Sequence, residues 1–73
     1  MIVAKIMNRK GAGCTRTVPT AAEAEKIMRG GYGALEATLE TDDGTVIGER
    51  RRQDMDDRRS RWFWSFDKTY FDN

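Results

Sequence analysis

Between Arg50 and Arg61 stand six arginines (Arg50, Arg51, Arg52, Arg58, Arg59 and Arg61) and three aspartates (Asp54, Asp56 and Asp57), a local formal charge of six minus three, +3. Trp62, Phe63 and Trp64 follow at once, and the run contains no lysine. A guanidinium is planar, binds phosphate or carboxylate bidentately and stacks on flat partners, so an all-arginine choice suits an interface better than solubility alone requires. If Phe63 faces outward while the tryptophans face the core, an aromatic ring sits within a guanidinium-lined surface. That combination suits nucleic acid, or a protein surface that itself handles nucleic acid. The three aspartates repel phosphate, so a mixed-sign loop fits a protein partner at least as well. The plainer reading is a solvated loop whose acids and arginines pair across two arms, each exposed pair worth about 0–1 kcal/mol. Arg9, Lys10, Arg16, Lys26 and Arg29 would enlarge the basic surface if they converge on it, and otherwise are scattered solubilising charge.

Other chemistries find little support. The chain has no histidine, which removes the commonest metal ligand and the usual near-neutral acid/base group. Cys14 is the only cysteine, so no internal disulfide forms, and a partly buried strand cysteine is its expected role. The segment "RKGAG" lacks the spacing and lysine-serine/threonine ending of a phosphate loop, and "ETDDG" and "DMDD" lack calcium-loop spacing. The expectation is a protein that is not an enzyme and holds no cofactor or metal. No run approaches 18 consecutive apolar residues and the start, "MIVAKIMNRKG", does not read as a secretory leader, so a soluble cytoplasmic protein is expected.

The elements that must position the arginines are legible from periodicity. "IVAKIMN" sets Ile2, Ala4 and Ile6 against Val3, Lys5 and Met7, a strand with one buried face; "CTRTV" pairs back after a glycine turn. Thr20 stands where an N-cap belongs and Glu23 lies three residues on, a capping box opening a helix of about ten residues. Ala21, Ala24, Ile27 and Met28 give it an apolar stripe, and Gly30 and Gly31 stop it. "GALEATLET" and "TVIGERRR" form a hairpin about Asp42–Gly44, and "SRWFWSFDK" places Trp62, Trp64 and Phe66 on one face. The fold class is therefore α+β, an antiparallel sheet of about five strands in the order β-β-α-β-β-β against one helix, with "RRQDMDDRRS" at the tip of the last connection. Ile2, Ile6, Leu35, Leu39, Val46, Trp62 and Trp64 are expected to meet Ala24, Ile27 and Met28 in the core. A single domain spans residues 1–68 and a tail 69–73, with Tyr70 and Phe71 in position to tuck under the sheet.

This order of elements resembles small anti-CRISPR proteins, single-domain inhibitors encoded by phages and mobile elements against type I CRISPR effector complexes. The similar pieces lie within residues 20 to 64. They are the capped helix "TAAEAEKIM" with Thr20, Ala24, Lys26 and Ile27, the hairpin "ETDDG" closing a strand begun at Gly33, and a final strand opening with Arg61-Trp62. The resemblance implies a non-enzymatic blocker in the cytoplasm of a bacterial host, docked on the effector's backbone subunits along the path of target DNA. Guide–target pairing would be occluded, with Lys26 and Arg61 as contact candidates. Glu25 departs from the pattern, which would have another cation there, and the long "RRQDMDDRRS" would be this protein's own binding device. The partner-binding set is then Lys26, Arg29, Arg50, Arg51, Arg52, Arg58, Arg59, Arg61 and Phe63, on a monomer. The alternative is a small DNA- or RNA-binding phage protein using the arginine-rich hairpin; a third is an assembly protein joined through sheet edges.

Overall fold

The computed structural model describes residues 1–8, 10–54 and 60–71. Five strands, β1 (Val3–Met7), β2 (Gly13–Thr17), β3 (Glu36–Glu40), β4 (Val46–Asp54) and β5 (Ser60–Phe66), form one antiparallel sheet in the order β2-β1-β3-β4-β5. The helix α1 (Ala21–Met28) covers one face and lies mainly against β3 and β5. This is the α+β arrangement that the periodicity predicts.

The alternation in β1 puts Ala4 and Ile6 under the helix, where they stand beside Leu39 and Ala37 of β3. Ala24, Ile27 and Met28 of the apolar stripe close over them, fully buried. Thr20 caps the helix as its sequence position implies, its hydroxyl accepting from the Glu23 N–H at 3.2 Å. The return half of the capping box is absent: the Glu23 carboxylate instead accepts from the Tyr32 hydroxyl at 2.7 Å. Gly30 takes the left-handed backbone (φ 95) that ends many helices, and its N–H donates to the Ile27 carbonyl at 3.0 Å. The turn before β4 closes through Thr41 and Thr45, with Gly44 at φ 87. Hydrogen bonds from the Thr41 hydroxyl and the Thr45 hydroxyl and N–H hold the Asp43 carboxyl down at about 2.

Two core expectations are corrected. Val46 is 55% exposed, and Ile47 takes the buried place. The cause is a bulge: Glu40 pairs with Val46 but Leu39 pairs with Gly48, so the extra residue, Ile47, shifts the facing of the strand start. Trp62 is not in the core; it is 39% exposed, while Trp64 and Phe66 pack against the core from the same side of β5. Of the stretch expected as a tail, Phe71 is buried, edge-on to Phe66 at 6.0 Å between ring centroids, and Tyr70 is half exposed. Cys14, expected partly buried, is exposed on the outer strand β2.

Gly48 lets β5 approach closely under the helix. A Cβ built there would lie 2.5 Å from the Phe66 Cβ and 3.0 Å from the Leu39 Cδ1. Gly48→Ala should therefore destabilise the fold by about 1–3 kcal/mol, read as a lowered denaturation midpoint, because two strand backbones must separate to admit one methyl group. An unchanged midpoint would show that the β4–β5 packing is looser than the contacts imply.

Candidate binding surfaces of the β4–β5 hairpin

The register of β4 with β5 decides where each arginine goes. Arg50 pairs with Trp64 and Arg52 with Trp62, while Arg51 pairs with Phe63 and Gln53 with Arg61. Side chains alternate across a strand, so Arg50, Arg52, Trp62 and Trp64 share the helix side, and Arg51, Arg61 and Phe63 share the open face. Pairing continues to Asp54 opposite Ser60. Arg51 and Arg52 therefore belong to a strand, not to the tip of a long loop, and only residues 55–59 connect the two strands. Arg58 and Arg59 lie outside the described residues, as does Arg9.

Arg50 is held inside the molecule. Its Nε donates to the Leu35 carbonyl at 3.2 Å and its Nη1 to the Met28 carbonyl at 3.0 Å. Met28 is the last residue of α1, so a cation meets the negative end of the helix and satisfies one of its free carbonyls. The guanidinium also lies 4.5 Å from the centroid of the Trp62 ring, which explains why Trp62 is drawn away from the core. Gly30 lies against it closely enough that a Cβ there would be 3.2 Å from Nη2. Arg50, expected among the partner contacts, is half-buried and braces the end of α1.

The remaining predicted residues fall into separate groups. Arg29 is exposed at the end of α1, 3.8 Å from Glu25 and 5.6 Å from the Trp64 ring. Lys26 stands with Arg16 over Tyr32, at 4.7 and 3.8 Å from its ring centroid. On the open face Arg51 is exposed, its Nε 3.2 Å from the Glu49 carboxylate and its guanidinium 5.3 Å from the Phe63 ring. Phe63 is 39% exposed and Arg61 is exposed two residues away on the same side. Arg52 is exposed on the helix side. The described members of the predicted set thus split between two faces.

The helix side also contains a feature that sequence reasoning missed. A cleft of about 540 Å³ opens between the β1–β2 turn and the loop after α1, lined by Asn8, Lys10, Arg29, Gly30, Gly33, Ala34, Leu35, Arg50 and Trp62. Among the described residues every charged side chain lining it is a cation. The only forward signal was the glycine-rich "RGGYGA", whose backbone leaves the space open, and its pairing with Arg50 depends on strand register. Among the described residues no group of histidine, cysteine, aspartate and glutamate could hold a metal ion.

Replacing Arg50 and Arg51 separately tests the division of roles. Arg50→Ala leaves two carbonyls without their charged donor and should cost about 1.5–3 kcal/mol in denaturant unfolding. Arg51→Ala removes only an exposed pair and should change stability by less than about 1 kcal/mol. Equal losses would contradict the brace. Comparison with known proteins finds no matching family model, no matching curated protein and no matching solved structure.

Proposed function

We propose that this chain is a non-enzymatic binding protein that docks on a nucleic-acid-handling complex through the open face of its β4–β5 hairpin. The observation that carries this reading is the placement of Phe63 between Arg51 and Arg61, all exposed and all presented from paired strands. Arginine and aromatic residues dominate binding energy at protein interfaces, and a strand backbone fixes their spacing before contact, which lowers the ordering cost of association. The same face carries Glu36, Glu40 and Glu49 beside Lys5, Arg51 and Arg61, and a two-signed surface complements a protein better than a phosphate backbone. The resemblance of residues 20 to 64 to anti-CRISPR proteins supports a type I CRISPR effector as the partner and occlusion of target DNA as the outcome.

A second reading is direct binding of DNA or RNA, favoured by Lys10, Arg29 and Arg50 in the lining of the cleft on the opposite side. The two are separated by one set of measurements. Docking predicts co-migration with a purified type I effector complex on size exclusion, reduced target binding by that complex, and loss of both in an Arg51→Glu, Phe63→Ala, Arg61→Glu variant that keeps its melting temperature. Free elution together with undiminished target binding would refute docking on that partner. Direct nucleic-acid binding predicts instead a gel shift at about 50 mM salt that fades steeply as salt rises, through counterion release.

A further inference from the structure

We infer that the cleft at the C-terminal end of α1 is a nucleotide site, with the base packed against the exposed part of the Trp62 indole and the phosphate held by Lys10 and Arg29. The site goes beyond the docking surface and lies on the other side of the sheet from Arg51, Arg61 and Phe63.

Four observations support it. First, among the described residues the lining charges are Lys10, Arg29 and Arg50, with no acid, in a protein whose whole formal charge is only +1. Local concentration of one sign in a concave site is what attracts and retains an anion. Second, the volume of about 540 Å³ lies within the range of small-molecule and cofactor pockets, and Gly30, Gly33 and Ala34 leave backbone near the ligand with little side-chain bulk. Third, Trp62 supplies one flat aromatic surface, already oriented by the Arg50 guanidinium 4.5 Å from its centroid. A ring fixed in advance stacks on a base without losing rotamer freedom on binding.

The fourth observation removes an objection. A helix C-terminus repels anions, and this cleft adjoins one. Here the Met28 carbonyl is engaged by Arg50, which neutralises that end and, among the described residues, uses two of the five guanidinium N–H donors. Lys10 on the facing wall is held by the β1–β2 turn: the Asn8 Oδ1 accepts from the N–H groups of Lys10 at 2.9 Å and Ala12 at 3.1 Å. Among the described residues the Lys10 ammonium has no ion-pair partner, so a phosphate displaces no existing bridge there. Arg29 gives up a 3.8 Å approach to Glu25 and a distant position 5.6 Å from the Trp64 ring centroid.

The chain has two tryptophans, so its indole N–H signals in a proton–nitrogen correlation spectrum are two and separately readable. Titration of the full chain with adenosine monophosphate should shift the Trp62 indole saturably and leave Trp64 less affected. Adenosine, lacking the phosphate, should bind about tenfold more weakly or worse, and Lys10→Glu and Arg29→Glu should each weaken the nucleotide by about tenfold while preserving the folded spectrum. A short single-stranded oligonucleotide distinguishes the source of the ligand: tighter binding than the monophosphate points to a strand, equal binding to a free nucleotide. The variant Arg51→Glu, Phe63→Ala, Arg61→Glu should keep the Trp62 shift, so loss of docking and loss of the nucleotide site are told apart. Absence of a saturable Trp62 shift with either ligand at millimolar concentration, or binding indifferent to both charge reversals, would overturn the assignment.

Discussion

One buried-end contact organises the molecule: the Arg50 guanidinium clasping the Met28 and Leu35 carbonyls across the end of the helix. An eight-residue helix has no independent stability in water, and its apolar stripe is narrow. Burial of Ala24, Ile27 and Met28 presses it to the sheet without fixing where its end must stop. Arg50 supplies that fix, because a planar fork satisfies two carbonyls in only one orientation. The close approach of Gly30 to the guanidinium, the position of Trp62 and the width of the neighbouring cleft all follow from it.

A two-residue period then turns one arginine run into two surfaces of different character. On the helix side the hairpin borders a concave region whose charges, among the described residues, are all positive. On the open side the same strands show a flatter face on which Arg51 leans on both Glu49 and Phe63. A near-neutral chain can therefore carry a cationic recess on one side while its open face mixes both signs.

The fold was legible where periodicity and backbone chemistry agree. The alternation in "VAKIM", the Thr20 cap and Gly30 each act locally, so each is visible in a few residues. Failures arose where a single inserted residue or a long side chain intervenes. The Ile47 bulge reverses the facing of Val46, and nothing in the composition of "GTVIG" announces it. Trp62 has the pattern of a core residue, yet its partner across the strand pair is Arg52 and its ring is claimed by Arg50. The outward placement of Phe63 beside arginines was readable, being a matter of parity alone. The recess was not, because its walls come from Asn8, Lys10, Arg29, Gly30, Gly33, Leu35, Arg50 and Trp62 among others, brought together only by the order β2-β1-β3-β4-β5.

Tyr32 gives the loop after α1 an unusual dependence on its surroundings. It adopts a left-handed backbone (φ 58), which costs a residue with a side chain about 1–2 kcal/mol, and the compensating contacts come from Glu23, Lys26 and Arg16. Two of these belong to the helix and one to the outermost strand, so the loop integrates the positions of two consecutive elements that lie in different layers. Gly33, one residue on, forms part of the wall of the recess. Anything that pulls Arg16 off the tyrosine ring is thereby thermodynamically linked to whatever sits beyond that wall, which makes the outer strand a remote lever on the opposite end of the helix.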